Sequence, residues 1–292
     1  MDLTELRVFR AVVRHRTVHG AAVALELAPS SVSARIRGLE ESLGVALFAR
    51  TSRGMRPTEA GERLLPWAVR LLDQAEQARA DVVGSGPVLR LGALESLAAA
   101  CLPGVLARLA ARRPDVRVRV VSSVDRAELL ADVSSGELEA ALILDNGTAL
   151  GGLGFPVPPD PVAFVDVDDV PLVLAAAPGH PLAGHPRLTP DDLARERLLV
   201  NAPACSFRLA ADLLLGPGPE RVPAGGPSVM RAWAEQGLGI ALLPDFAVAS
   251  ALAAGSLVRL PLDVPPLALR LVWHSARETL PGLRDVLYAA AS

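Results

Sequence analysis

The 292-residue sequence predicts a mixed architecture, in which an all-α N-terminal domain, a long connecting helix and a larger α/β domain follow one another. Three observations support this prediction. Short amphipathic helical patterns fill most of residues 1–57, a long helical pattern covers 58–83, and strand and helix patterns alternate from residue 88 onward. With 51% hydrophobic residues, the chain can bury two or three compact cores.

The first helix is predicted to begin almost at the first residue. Asp2 and Glu5 have the spacing of a capping box, and Leu6, Phe9 and Val13 share one face of the helix that follows. No basic segment followed by an apolar run is present there, so we expect no signal peptide and a cytoplasmic protein. The longest uncharged stretches are too short, or too rich in proline and glycine, to span a membrane.

The next two helices have the order of a helix-turn-helix. Residues 18–27 form a short alanine-rich helix, and the helix after it carries Val32, Ile36, Leu39 and Leu43 on one apolar face. The opposite face carries small, hydroxyl and arginine side chains, namely Ser30, Ala34, Arg37 and Gly38. Such a helix can enter the major groove of DNA, where arginine recognises guanine edges and serine reaches bases or phosphates. The alternative is an ordinary amphipathic surface helix.

A basic strand-turn-strand segment follows, and we call it the wing. Its polar and basic residues, Arg50, Thr51, Ser52, Arg53 and Arg56, suit phosphate contacts beside the groove. Residues 1–57 carry nine arginines and five acidic residues, a net charge of +4, whereas the remainder carries 20 and 27, a net charge of −7. A basic head on an acidic body concentrates DNA affinity in one place.

We therefore predict that nine residues contact double-stranded DNA. The serines and Ala34 are expected at or near base edges, Arg37 to influence sequence preference, and Arg53 to bind phosphate. The predicted contacts are Ser30, Ser31, Ser33, Ala34, Arg35, Arg37, Arg50, Arg53 and Arg56.

This segment resembles the LysR-type transcriptional regulators, which have a winged helix-turn-helix domain. The matching residues are Val32-Ser33, Ile36, Leu39-Glu40, Leu43-Gly44, Leu47-Phe48, Arg50-Thr51, Arg53-Gly54 and Thr58-Glu59-Ala60-Gly61. The family commonly opens its recognition helix with Ser/Thr-Gln-Pro-Ala, whereas this chain has Ala28-Pro29-Ser30-Ser31. A groove-facing glutamine and a capping hydroxyl are therefore missing, which bears on operator preference. Pro29 still suits the first helical position.

Residues 58–83 are predicted to form one helix of about 39 Å, with Thr58 as its N-cap and a bend at Pro66. Apart from Arg79, small or apolar residues recur at heptad spacing, at Gly61, Leu65, Ala68, Leu72, Ala75 and Val82. The resemblance implies that this helix pairs with a second copy, in a homodimer or homotetramer. The alternative is that the stripe packs on its own domain. Residues 84–87, Gly-Ser-Gly-Pro, are typical of a hinge-like linker.

The pattern from residue 88 predicts a mostly parallel α/β domain. The expected strands are 88–92, 116–121, 140–144, 171–176, 197–200, 238–243 and 267–273, and the expected helices are 97–111, 126–135, 206–215 and 228–236, with a closing helix at the end. Residues 145–161 are rich in glycine and proline, so we expect them to lead the chain into a second lobe. The strand at 267–273 is expected to return to the first.

This part resembles the LysR effector domain, which is itself similar to two-lobed periplasmic solute-binding proteins. The matching residues are Leu89-Arg90-Leu91-Gly92, Leu102-Pro103, Arg113-Pro114-Asp115-Val116, Gly136-Glu137-Leu138-Glu139-Ala140, His180-Pro181-Leu182, Gly237-Leu238-Gly239 and Leu243-Pro244. The predicted organisation is a DNA-binding domain at 1–57, a linker helix and hinge at 58–87, and an effector-binding domain at 88–292. Its lobe I comprises 88–162 and 267–292, and its lobe II comprises 163–266.

Hydroxyl side chains follow predicted strands near helix starts, where free backbone N–H groups favour a carboxylate or another anion. With Arg208 as a bidentate partner and the adjacent thiol, the candidate effector residues are Ser96, Ser122, Ser123, Cys205, Ser206, Arg208 and Ser228. The alternative is that each serine is only an N-cap. Cys205 could instead sense oxidants, although Cys101 is distant in sequence.

No cofactor motif, metal-ligand cluster or catalytic constellation is present, so we expect neither an enzyme nor a metalloprotein. The sequence instead predicts a sequence-specific transcriptional regulator controlled by a small-molecule effector, with an anion as one candidate. RNA polymerase is a further candidate partner. Two alternatives remain: a sequence-tolerant architectural or replication-inhibiting DNA binder, and a solute-binding or enzymatic α/β protein.

Overall fold

A computed structural model describes residues 1–51, 54–83, 88–159, 161–278 and 282–290, without the side chains of residues 77, 80 and 81. The predicted contact Arg53, its neighbour Ser52 and the hinge at 84–87 lie outside the described residues. The observed architecture is the predicted one: a small helical head with a two-stranded wing, a long helix, and a body built on two five-stranded sheets.

The head contains three helices and one antiparallel hairpin. Their bounds are α1 Leu3–His15, α2 Val18–Ala24, α3 Pro29–Leu43, β1 Phe48–Thr51 and β2 Gly54–Pro57. The predicted capping box is present, because the Asp2 carboxylate accepts from the backbone N–H groups of Thr4 and Glu5 while the Glu5 side chain accepts from the backbone N–H of Asp2. Of the apolar stripe on α3, Val32, Ile36 and Leu39 are buried, but Leu43 is 39% exposed at the end of the helix.

The long helix, α4, spans Glu59–Val83 and packs on its own head. Leu65, Ala68 and Leu72 are buried in the same core as Phe9 of α1. The expectation that these residues face a second copy is therefore wrong for the first half of the stripe. Near the other end of α4, Val82 is 87% exposed and covered by no described part of the chain. A heptad pattern predicts that one face of a helix is buried, but it does not show whether the same chain or a second copy covers that face.

The body contains two mixed sheets flanked by helices. The strands are β3 Val88–Leu94, β4 Arg117–Ser123, β5 Ala140–Asp145, β6 Val162–Val170, β7 Leu172–Ala176, β8 Arg197–Val200, β9 Glu220–Pro223, β10 Ile240–Pro244, β11 Val258–Arg259 and β12 Leu267–His274. The strand order is β4-β3-β5-β12-β6 in lobe I and β11-β7-β10-β8-β9 in lobe II. The helices are α5 Glu95–Ala100, α6 Leu102–Arg112, α7 Arg126–Ser135, α8 Ser206–Leu215, α9 Pro227–Glu235, α10 Asp245–Ala254 and α11 Leu283–Ala290.

Three predictions for the body need correction. The sheets are mixed rather than mostly parallel, because β12 runs antiparallel to β5 and β6, and β7 runs antiparallel to β10 and β11. The single helix expected over 97–111 is two helices, α5 and α6, which meet at Cys101 just before Pro103. Proline has no backbone N–H to donate, so it fits the first turn of a new helix better than the interior of a longer one. The lobe boundary at 162/163 is also misplaced, because β6 pairs antiparallel with β12 in the sheet of lobe I. The chain enters the second sheet only after Val170.

A buried ion pair holds the crossover loop between β5 and β6. Arg270 on β12 and Asp145 at the end of β5 are both 0% exposed, with Nη1 and Oδ2 2.7 Å apart. The Asp145 carboxylate also accepts from the backbone N–H groups of Gly151 and Leu153, while Arg270 donates to the Ala149 carbonyl. The pair thus fixes both the sheet and the loop that crosses its end.

Ion pairs also join the head to lobe I. Arg14 of α1 donates to Asp132 on α7, with Nη2 and Oδ2 2.9 Å apart, and Arg10 Nη2 lies 2.8 Å from Oε1 of Glu137. Asp73 of α4 pairs with the buried Arg277. These contacts fix the orientation of the head on the body. Among the described residues, none of the helices is both long enough and apolar enough to cross a membrane.

Candidate functional sites

The outer face of α3 carries the predicted groove-facing side chains. Ser30, Ala34 and Arg37 are exposed, whereas Ser31, Ser33 and Arg35 are half-buried beside them. Ala28 occupies the N-cap position without a side-chain hydrogen bond, and Pro29 begins the helix, as the sequence indicated. The first turn of α3 therefore presents uncapped backbone N–H groups together with hydroxyl side chains, which suits contact with phosphates or base edges.

The wing is anchored to the turn between α1 and α2. The backbone N–H of Met55 donates to the carbonyl oxygen of Arg16 at 2.7 Å, and Gly54 has φ +108° at the start of β2. A β-carbon at Gly54 would lie 2.3 Å from the Arg16 carbonyl, so only glycine fits there. Arg50 and Arg56 are exposed on the two strands. The wing thus holds basic side chains on a fixed hairpin.

Three residues fix the position of the wing relative to α3. Glu40, near the end of α3, accepts from the backbone N–H groups of Leu47 and Phe48 at 2.7 and 3.2 Å. The hydroxyl of Thr58 donates to the Ala46 carbonyl and accepts from the N–H of Gly61. A β-carbon at Gly61 would lie 2.3 Å from the carbonyl oxygen of Leu47. These contacts therefore connect α3, the wing and α4 to one another near residues 46–48.

We expect Gly61→Ala to lower the free energy of unfolding of the head by about 1–3 kcal/mol, because the added methyl group displaces the Leu47 backbone. Thermal unfolding followed by circular dichroism measures this change. Gly104→Ala in α6 is the matched control, since its β-carbon would approach only the end of the Arg108 side chain at 3.4 Å. That control should be stabilised by up to about 1 kcal/mol. Equal effects of both substitutions would contradict the close contact at Gly61.

A small pocket, of about 80 Å³, lies between the two lobes. It lies where β3 and β8 end and where α5, α8 and α9 begin, in agreement with the usual place of ligands in such sheets. Its lining residues are Leu94, Glu95, Ser96, Val124, Asn201, Cys205, Ser206, Phe207, Gly226 and Pro227. Three of the predicted effector residues, Ser96, Cys205 and Ser206, are thereby brought together.

The other predicted effector residues lie outside this lining. The Ser123 hydroxyl donates to Glu128 and accepts from the N–H of Asp125, so Ser123 stabilises the start of α7. Ser122 precedes it on the exposed strand β4, and Ser228 follows the lining residue Pro227. Arg208 turns along its own helix, where its Nε donates to Asp212 at 2.6 Å. The expectation of a bidentate contact from Arg208 to a ligand is therefore not supported by its position.

Arg126, the first residue of α7, reaches from lobe I to lobe II behind the pocket. It donates to the side-chain oxygen of Ser206 and to the Ala204 carbonyl, and its guanidinium carbon lies 4.2 Å from the ring centre of Phe155. Arg126 is only 2% exposed. Arg126 is not among the predicted effector residues, because nothing in the local sequence pattern shows that its side chain crosses between the lobes.

Comparisons with known proteins agree with this geometry. Residues 3–62 match the family model described as a bacterial regulatory helix-turn-helix protein of the lysR family, and residues 84–291 match the LysR substrate binding domain. This chain belongs to the LysR family. It is a LysR-type transcriptional regulator with an effector-binding domain.

Relatives of this LysR-family protein are regulators. It is 35% identical over 253 residues to a probable hydrogen peroxide-inducible genes activator of Mycobacterium avium, covering 83% of this chain and 78% of that protein. It is 28% identical over 301 residues to the Hca operon transcriptional activator HcaR of Escherichia coli, covering 98% and 96%.

Solved structures of similar fold cover the full length of the LysR-family chain. A full-length OxyR variant from Pseudomonas aeruginosa aligns with a TM-score of 0.68 at 21% identity, over 99% of this chain and 94% of that one. Full-length LysG from Corynebacterium glutamicum, with bound effector Arg, aligns with a TM-score of 0.63 at 21% identity, over 100% and 98%. These likenesses show the fold.

Proposed function

We propose that this regulator recognises its operator through the exposed face of α3 and grips the flanking phosphates through the wing. The base-edge contacts are Ser30, Ser31, Ser33, Ala34, Arg35 and Arg37, and the phosphate contacts are Arg50, Arg53 and Arg56. The single observation that supports this most is the fixed placement of Arg37 and the serines on one outer face, beside a hairpin pinned by Glu40 and Gly61.

Arg37→Ala is expected to weaken binding to the preferred DNA site by about 1–3 kcal/mol, roughly 5- to 150-fold, with a much smaller loss on random DNA. The reason is that a base-edge contact carries sequence information. A site is first selected from a random duplex pool, and affinities for it and for random DNA are then measured by fluorescence anisotropy.

The matched control is Arg50→Ala on the wing. It should weaken binding to both DNAs similarly and reduce the slope of log affinity against log salt concentration by about one. Equal losses on both DNAs for Arg37→Ala would contradict its assignment to the base edges. Absence of any preferred site in the selection would instead favour a sequence-tolerant architectural or replication-inhibiting binder.

We propose that the small-molecule effector binds in the pocket between the lobes, where Ser96, Cys205 and Ser206 meet. A ligand there would favour one arrangement of the lobes over another, and only such a difference in affinity can alter operator binding. The regulator would act in the cytoplasm as a homodimer or homotetramer, with RNA polymerase as a further partner. The exposed Trp67 and Val82 on α4 support self-association.

Oxidation of Cys205 is a second candidate signal. Cys205 lines the pocket, both cysteines are free thiols, and the similar protein of Mycobacterium avium is described as a peroxide-inducible genes activator. If this candidate is correct, hydrogen peroxide changes the DNA footprint of the wild-type protein and not that of Cys205→Ser. If a small molecule is the signal, peroxide leaves both footprints unchanged.

A further inference from the structure

Arg126 differs from the other deeply buried arginines. Arg270 pairs with Asp145, and Arg277 pairs with Asp73. Among the described residues, no carboxylate lies within ion-pair distance of Arg126, and its Nε has no hydrogen-bond partner. Burial lowers the pKa of this guanidinium, which shows the cost of keeping the charge there. An uncompensated buried charge is expensive, and its cost is offset when an anion arrives.

The charge of Arg126 reaches the pocket through Ser206. Arg126 donates to the oxygen of Ser206, so that hydroxyl must direct its own proton to another acceptor. Ser206 lines the pocket, where a ligand oxygen would supply that acceptor. The positive guanidinium also polarises the hydroxyl, making it a stronger donor.

Two helix N-termini add to the same potential. Helices α8 and α9 begin at the pocket wall, and neither has a side-chain N-cap. In α8 the first backbone N–H groups, from Ser206 onward, are therefore open to a ligand, with the partial positive charge of the helix end. Helix α9 begins with Pro227, which has no N–H, and Val229 N–H donates to the Gly226 carbonyl, so Ser228 is the donor that α9 offers. Asn201, also in the lining, has its side-chain oxygen buried without a donor, so this acceptor opposes an anion placed directly beside it.

The negative groups nearby do not cancel this potential. Asp145 is saturated by Arg270 and by backbone N–H groups, and Asp125 accepts from the N–H of Ala127 at the start of α7. Glu95 lines the pocket but is exposed, so water screens its charge. Cys205, Asp145 and Asp125 each raise the pKa of Arg126, but burial outweighs them and the pKa stays lowered.

We propose that Arg126 is the positioning residue that makes this pocket selective for a carboxylate, by fixing and polarising Ser206. This inference rests on the proposed effector role of the pocket. The carboxylate would accept from the Ser206 hydroxyl and from the first N–H groups of α8, and its charge would compensate Arg126. An inorganic oxyanion has the same acceptor chemistry, so the test includes sulfate and phosphate.

The experiment measures thermal stabilisation of the full-length protein by acetate and benzoate, with acetamide and benzamide as neutral isosteres, all at constant ionic strength. At least one carboxylate should stabilise the wild type. The apparent affinity for the corresponding amide should be at least about tenfold lower than that for the carboxylate. Stabilisation by sulfate or phosphate but by neither carboxylate, or by no probe at all, would overturn the proposal.

Two variants separate positioning from folding. Arg126→Met should melt about 2–4 °C higher than the wild type without ligand, because an unpaired buried charge is removed, and should lose the preference for carboxylate over amide. Arg126→Lys should retain part of that preference, because the charge remains. A carboxylate preference that survives in Arg126→Met would overturn the proposal. Operator binding by the wild type, measured without probes, tests the regulatory function separately.

Discussion

Arg270→Leu is expected to lower the free energy of unfolding by about 3–5 kcal/mol, because it leaves the Asp145 carboxylate buried without its cation. The substitution also removes the hydrogen bond to the Ala149 carbonyl, which holds the crossover loop. Phe155 lies in that loop against Arg126, so the contact between Phe155 and Arg126 should weaken as well.

Urea unfolding followed by circular dichroism measures this loss. Arg259→Leu is the matched control, because Arg259 makes an ion pair of nearly the same length with Asp245, at 2.8 Å, on the exposed surface. Its expected cost is below about 1 kcal/mol. A loss below about 1 kcal/mol in Arg270→Leu as well would show that the buried pair does not hold the crossover.

The second large effect concerns pH and the contact between head and body. Burial raises the pKa of Asp132 from 3.8 to about 6, while Arg14 opposes that shift. Between these values the folded chain binds more protons than the unfolded chain. The contribution of Asp132 to stability is therefore fully present below about pH 4 and is lost as the pH rises through 6, by about 3 kcal/mol in total.

Asp132→Asn removes this titration. We expect the variant to match the wild type near pH 4 and to be more stable by about 3 kcal/mol near pH 7.5, as measured by urea unfolding at each pH. Asp263→Asn, at an exposed aspartate, should differ from the wild type by less than about 0.5 kcal/mol throughout. A difference between Asp132→Asn and wild type that does not change with pH would contradict the burial of this carboxyl.

The features that sequence predicted well are local ones. The capping box at Asp2 and Glu5, the buried face of α3 and the starts of α7 and α8 each depend on residues within a few positions of one another. The position of Ser206 at the pocket could be predicted from the sequence, because Ser206 follows a strand and begins a helix. Both signals come from neighbouring residues.

The features that sequence missed depend on distant partners. The heptad stripe of α4 has the same pattern whether its own head or a second copy covers it, and the head core at Phe9 covers Leu65 and Ala68. Strand β6 alternates valines with Asp166 and Asp168, which is typical of a half-exposed strand, but the pattern does not show that the strand pairs with the distant β12 rather than joining the second lobe. Arg126 and Ser206 are 80 residues apart, and only the folded chain brings them together.

The central claim is that α3 and the wing read a specific DNA sequence. The most direct test is a footprint of the purified wild-type protein on the region upstream of its own gene, with excess random DNA as competitor. We expect a protected site with two-fold-related halves, whose protection persists in the presence of the competitor. Uniform protection, or protection that the competitor abolishes, would contradict specific recognition at this region.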